Sequence, residues 1–275
     1  RKLEAQGLIA NYNRLRKNLP PKLPERVFVW DETLREGVQT PSVFLTYVEK
    51  VKLAKMMDEI GTSAITVGFP AVSQEEKNDV KRMANEDFQT ARLAASARVS
   101  KSDVDACLEC GIREISVFTP FNGLNLQNRL KITKEQALVQ IVECITYARK
   151  HGATVNFVLE DATRTPLQDI VQIFEATAKA GAERLVIADT VGFLRPLSTR
   201  YLISHVREGL QQVLSQEPAL SIHCHNDFGL ATANTLAAVE EGIAHVHTCI
   251  AGFGERAGVA PLEEVVVALE LLYDI

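Results

Sequence analysis

Eight short apolar runs, each followed by a longer segment of helical period, predict an α/β protein: a closed (β/α)8 TIM barrel with a short N-terminal helical extension. Glycines punctuate the points where helices hand over to strands, at Gly61, Gly111, Gly152, Gly181 and Gly242, as C-terminal caps should. No Gly-x-Gly-x-x-Gly follows the first strand, which weakens the runner-up, an open doubly wound sheet.

Taken in order, residues 1–24 read as an N-terminal helix, over roughly residues 3–17, and a linker that breaks at Leu19-Pro20-Pro21-Lys22-Leu23-Pro24. Residues 25–275 read as one barrel. Its strands are expected at residues 26–30, 64–69, 92–97, 114–119, 154–159, 184–188, 220–225 and 245–250. Helical periods follow, for example at residues 47–60, 134–151 and 262–272.

The composition is 46% hydrophobic and 24% charged over 275 residues, enough to bury a large core. The net charge of -5 comes without any basic run that would track a phosphate backbone, so nucleic acid is not an expected partner. No apolar stretch is long enough to span a bilayer, and Arg1-Lys2-Leu3-Glu4-Ala5 lacks the apolar segment of a secretory signal. A cytoplasmic protein without membrane contact is expected. The five cysteines form no spaced framework; Cys107 and Cys110 read as a helix end stopped by Gly111, not as a zinc or redox pair.

The chemistry concentrates in His223-Cys224-His225-Asn226-Asp227, after the apolar run Ala219-Leu220-Ser221-Ile222. Side chains two apart on a strand share a side, so His223 and His225 present two imidazoles together while Cys224 faces away. Two imidazoles can serve as a divalent-metal claw, and the same spacing also suits strand decoration or core hydrogen bonding. Glu36, in Asp31-Glu32-Thr33-Leu34-Arg35-Glu36-Gly37-Val38-Gln39 after the first strand, is the candidate third ligand. The first and seventh strands have only the eighth between them, which separates their tips by about 10 Å. Other polar clusters fall at strand carboxyl ends: Glu160 and Asp161, Asp189 and Thr190, Glu255 and Arg256. That rim is where barrels build active sites. His245 and His247 repeat the spacing without a third ligand and read as core or ligand-orienting histidines.

With these residues in view, the chain resembles the acyl-CoA condensing and lyase family of metal-dependent barrels, typified by 2-isopropylmalate, homocitrate and citramalate synthases. The motifs carrying the resemblance are Thr33-Leu34-Arg35-Glu36-Gly37 with Gln39, Glu160-Asp161, Ala188-Asp189-Thr190-Val191-Gly192, His223 to Gly229, and Gly252 to Gly258. The resemblance implies that Glu36, His223 and His225 hold a divalent cation (Zn, Mg or Mn). It implies an acyltransferase, condensing acetyl-CoA with a 2-oxo acid and releasing CoA, in a homodimer.

Arg35 is then expected to support the developing oxyanion, Gln39 to orient the acid and Thr190 to hydrogen-bond its carboxylate. Glu160 is a candidate for proton transfer or for orienting neighbouring donors. Asp31 and Asp189 are expected to position ligands and not to bind metal. The family's homocitrate synthases carry Arg and Ser where this chain has Asn156 and Val158. With Asn156 and Val158 read as substrate-binding positions and Phe118, Phe121 and Val158 placed around the pocket, that points to an apolar 2-oxo acid and a 2-isopropylmalate synthase-like reaction. Alternatives are a homocitrate or citramalate synthase-like activity, a lyase or aldolase on the same barrel, or a non-catalytic barrel. Against the lyases, whose loop after strand eight carries a reactive Cys, residues 252–258 contain none. Val259 stands where the family carries a metal-site Asn, which leaves the fourth ligand open.

Overall fold

The computed structural model describes residues 6–15 and 18–275. Eight parallel strands close in sequence order, β8 returning to β1: β1 Phe28–Asp31, β2 Ala64–Thr66, β3 Arg92–Arg98, β4 Glu114–Pro120, β5 Thr154–Glu160, β6 Arg184–Asp189, β7 Ala219–Cys224 and β8 His245–Thr248. A helix follows each: α1 Tyr47–Glu59, α2 Gln74–Met83, α3 Lys101–Glu109, α4 Lys134–Lys150, α5 Leu167–Lys179, α6 Pro196–Val213, α7 Ala231–Glu240 and α8 Leu262–Ala268. The expected (β/α)8 barrel is the fold. Reciprocal Thr–Glu and Thr–Gln capping boxes start α1 and α4, satisfying end N–H groups that have no partner within the helix. The five handover glycines all adopt positive φ, between +79° and +104°, a region that β-carbon sterics discourage for other residues.

The N-terminal segment differs from expectation. Within the span 3–17, the described residues carry one 3-10 turn, Tyr12–Arg14, and residues 3–5, 16 and 17 lie outside the described residues. Leu8, Ile9 and Tyr12 are exposed, so these described residues bury no apolar face that would hold a longer helix, and short helices without such burial are marginal. No described helix is long and apolar enough to cross a membrane.

Strand parity sorts the barrel into two environments. Outward residues such as Ile65, Ile115, Phe157, Ile187, Ile222, Cys224 and Val246 join the main apolar core against the helices. The inward set is largely polar, with Trp30, Ala64 and Ala94 as a small separate apolar cluster. In register across β4, β5 and β6, Ser116, Asn156 and Arg184 form one interior row. Asn156 Nδ2 donates to Glu114 Oε1 at 3.2 Å, and Arg184 and Arg92 lie 3.6 and 3.2 Å from the same carboxylate. The Arg184 guanidinium also sits 4.8 Å from the Trp30 ring centroid. Glu114, Asn156 and Arg184 make a polar plug that closes the barrel beneath the carboxyl-end rim, and the candidate site lies above it.

Candidate metal centre and active site

The turn after β1 is built by Asp31. Its carboxylate accepts the Thr33 N–H at 2.8 Å and the Thr33 hydroxyl at 3.0 Å, and Thr33 Oγ1 in turn accepts the Ile250 N–H at 2.9 Å. Full burial pushes the Asp31 carboxyl up to about 7, against the lowering effect of those bonds. Asp31 therefore ties β1 to the loop after β8, and the turn it makes carries Glu36 to the rim. Glu36 is buried, and Arg35 Nη1 donates to its Oε2.

β7 delivers the imidazoles. His223 and His225 point into the barrel, and Cys224 faces the outer core, as strand parity requires. Their Nε2 atoms are 3.3 Å apart, and His225 Nε2 is 3.8 Å from Glu36 Oε1. Glu36, His223 and His225 each offer one ligand atom within 4.8 Å of the others, and all three are buried. Burial, with repulsion from His225 and His247, drives the His223 imidazole well below its ordinary range; burial also lowers His225, opposed by Glu36. Both shifts favour the neutral ring, the form whose bare nitrogen binds a metal. Two imidazoles and a carboxylate beside an open cavity fit a divalent cation of the Zn, Mn or Mg kind.

Asp189 supports this pair from β6. Its backbone oxygen accepts the His225 N–H at 3.3 Å, and its carboxylate accepts the Thr163 hydroxyl and the Phe193 and Leu194 N–H groups. Burial raises its pKa. From the other side, the loop after β8 folds back: Asn226 N–H donates to Gly258 O at 2.9 Å, and Glu255 N–H donates to Glu36 Oε1 at 3.4 Å. Val259 is buried, pairs as backbone with His225, and brings no donor atom to the cluster.

A cavity of about 310 Å³ opens over the three candidate ligands. Arg35, Gln39, Val158, Glu160 and Thr190 line it, as does Phe118. Asn156 does not. Its position two residues before Val158 on β5 places it one layer lower, where Glu114 and Arg184 occupy its amide. Phe121 is likewise absent from the lining, since it is fully buried in the outer core.

The cavity also contains residues the motifs did not single out. Ser96 and Ser116 line it from inward positions of β3 and β4, which strand parity marks as polar residues on the barrel's inner face. His247, which the sequence marks as a core or ligand-orienting histidine, also lines the cavity; it lies 3.0 Å from Glu32 Oε1 through Nδ1, stacks on Trp30 and packs edge-on against His223 at 5.6 Å between centroids. Arg129, from the connection before α4, pairs with Glu160 at the cavity mouth. Nothing periodic in that connection signals it.

The sequence model of the HMGL-like family matches residues 26–273, the whole barrel. The chain belongs to the HMGL-like family. Within it, a probable 2-isopropylmalate synthase of Methanopyrus kandleri is 42% identical over 92% of this chain and 49% of its own length. A homocitrate synthase of Methanothermobacter thermautotrophicus is 40% identical over 92% and 63%. A putative (R)-citramalate synthase of M. kandleri is 42% identical over 92% and 48%. This HMGL-like chain thus spans about half to under two thirds of the length of these relatives. Among solved structures, the hydroxymethylglutaryl-CoA lyase of Pseudomonas aeruginosa superposes with a TM-score of 0.78 at 22% identity, covering 90% of this chain and 86% of the lyase. At that identity the likeness is one of fold.

Proposed function

We propose that this protein is an acyltransferase that condenses acetyl-CoA with a 2-oxo acid in a metal-dependent reaction, and that the acid carries an apolar side chain, as in 2-isopropylmalate synthesis. The observation that carries the reading is the buried meeting of Glu36, His223 and His225 beneath a cavity that Arg35, Gln39, Glu160 and Thr190 also line. The names of the relatives support the reaction class.

Glu36, His223 and His225 hold the divalent cation. When bound, the cation polarises the carbonyl of the 2-oxo acid as a Lewis acid. Arg35, permanently charged and 5.4 Å from the Phe118 ring centroid, supplies donors to the oxygen that becomes negative as the new carbon–carbon bond forms. Gln39 orients the acid and the Thr190 hydroxyl donates to its carboxylate. Glu160 sits at the mouth with one oxygen on Arg129 and the other, Oε2, buried without a partner among the described residues, a carboxylate placed to take or return a proton. Removal of a methyl proton from acetyl-CoA makes the attacking carbon, and hydrolysis of the thioester product releases CoA.

Phe69, Val72, Phe118 and Val158 form the apolar wall that favours an aliphatic side chain. One observation favours a second reading: Arg129 is a cation at the cavity mouth, and a dicarboxylic acid such as 2-oxoglutarate has a second carboxylate for it to meet. The reading takes the protein as a cytoplasmic homodimer, and sedimentation tests the dimer directly. The reaction is tested by incubating the protein with acetyl-CoA, a divalent cation and each of pyruvate, 2-oxoisovalerate and 2-oxoglutarate, and titrating free thiol. Metal-dependent release fastest with 2-oxoisovalerate is expected. Release fastest with 2-oxoglutarate establishes the second reading, and none with any acid overturns both.

A further inference from the structure

The residue after Glu160 is held in an unusual way. Asp161 has left-handed backbone angles (φ 57°, ψ 34°) and is 2% exposed. Residues other than glycine adopt that region at a cost, Asp and Asn least. Four donors converge on its carboxylate: Arg164 Nε and Nη2, both at 2.7 Å, Asn122 Nδ2 at 2.6 Å and Asn125 Nδ2 at 3.0 Å. Its carbonyl accepts the Thr165 hydroxyl at 3.0 Å. The peptide is therefore pinned from both sides, and its N–H points at one acceptor, Thr190 Oγ1, 2.8 Å away.

That contact determines what the Thr190 hydroxyl does. A hydroxyl has one proton and two acceptor lone pairs. With a lone pair engaged by the Asp161 N–H, its own proton is free to donate, and it meets no protein acceptor among the described residues. Thr190 lines the cavity above Glu36, His223 and His225. Its backbone is fixed independently: Arg256 Nη2 donates to Thr190 O at 2.6 Å while Nε and Nη2 grip Asp227 at 2.7 and 2.9 Å. Next along the chain, Gly192 (φ 61°) packs so closely that a Cβ there would lie 2.6 Å from Asp227 Oδ2.

We propose that Asp161 is a positioning residue, whose anchored N–H commits the proton of the Thr190 hydroxyl to the carboxylate of the bound 2-oxo acid. This deepens the function proposed above and rests on it. The role needs a peptide locked in one orientation, which explains why a buried carboxylate with four donors stands behind a strained backbone. Asp161 acts only through Thr190.

The test is a double-mutant cycle read by calorimetric titration of the Mn2+-saturated protein with pyruvate, 2-oxoisovalerate or 2-oxoglutarate, without acetyl-CoA. The acid that binds wild type most tightly serves for all variants. Thr190→Val should weaken binding on the order of ten- to a hundred-fold, the worth of a hydrogen bond to a charged group, and Thr190→Ser should keep most of it. Asp161→Ala should weaken binding by roughly ten-fold in the wild-type background but by less than about two-fold beside Thr190→Val. Asp161→Asn, which tolerates the left-handed backbone, gives the same non-additivity with a smaller loss if the alanine variant does not fold. Equal losses in both backgrounds, or none in either, would overturn the proposal and leave the condensation reading standing. Failure of wild type to bind any of the three acids overturns both together.

Discussion

His223 and His225 present their Nε2 atoms to one another at 3.3 Å, with Glu36 Oε1 3.8 Å from the second ring. Two neutral imidazoles at that distance are held either by one ring's Nε2–H donating to the other's bare Nε2 or by a cation between their lone pairs, and metal binding separates the two. A divalent cation that binds only the folded chain should stabilise it by about 2.7 kcal/mol at a hundred times its dissociation constant. Thermal melts with excess Mn2+ or Zn2+ should therefore run about 5 to 10 °C above melts in chelator. In His223→Ala the shift should vanish. An undiminished shift in that variant would place the ion elsewhere.

Arg35 makes one ion pair to Glu36 and lies over the Phe118 ring. Lysine keeps the charge but not the planar fork. Arg35→Lys should lower the rate of CoA release by roughly a hundred-fold or more while shifting the melting temperature by only about 2 °C. Thiol release and a thermal melt on the same preparation separate the two effects, and a rate within about three-fold of wild type would remove Arg35 from the chemistry.

Phe118 and Val158 are neighbours in register across β4 and β5 and form part of the cavity wall. Phe118→Leu removes bulk from that wall. The ratio of kcat/KM for 2-oxoisocaproate over 2-oxoisovalerate should rise by roughly ten-fold, the usual worth of a methylene in an apolar pocket. An unchanged ratio would mean that the side chain of the acid points away from β4.

Asn156 belongs to the polar plug, with Glu114 on one side and Arg184 on the other. Asn156→Ala leaves those buried groups short of a partner and should cost about 1 to 3 kcal/mol of stability. Denaturant unfolding should register that loss, and the KM for the 2-oxo acid should not move. A KM raised ten-fold without loss of stability would return Asn156 to the substrate site.

His245, at the lower end of β8 beside Phe28, has its pKa pushed down to about 4 by burial, with Arg184, His247 and Arg92 adding repulsion. The unfolded chain takes up this proton near pH 6.5 and the folded chain only near pH 4. Between those values the unfolded state binds more protons, so this histidine makes stability fall as the pH drops from about 6.5 to about 4. Urea midpoints should fall less steeply across that window in His245→Gln than in wild type. Equal slopes would mean that His245 titrates normally in the fold.

All eight strands are legible in the sequence because parallel strands covered by helices need an apolar outer face, and runs such as Val155, Phe157 and Leu159 supply it within a few residues. The candidate ligands are legible for the same local reason. Period two puts His223 and His225 on one side whatever the rest of the chain does, and Glu36 is one turn beyond a strand end. The N-terminal segment is the opposite case: a helix is expected there, but among the described residues it holds one 3-10 turn, because helix stability depends on a surface to bury against.

Asn156 shows where local reading stops. Parity correctly turns it inward, yet whether an inward residue reaches the cavity or the plug depends on its height, which the stagger of the closed sheet decides through pairings such as Ser116 with Asn156 and Asn156 with Arg184. Arg129 reaches Glu160, Glu32 reaches His247 and Asp161 reaches Thr190 only because closure brings the loops of different strands onto one rim. The sequence by itself determined which faces of the strands are polar and apolar and that His223 and His225 share one side, since both follow from spacing along one strand. The layer each inward residue occupies, and the partners that orient it, were decided by tertiary structure, because those distances are set between strands that sequence separates by tens to hundreds of residues.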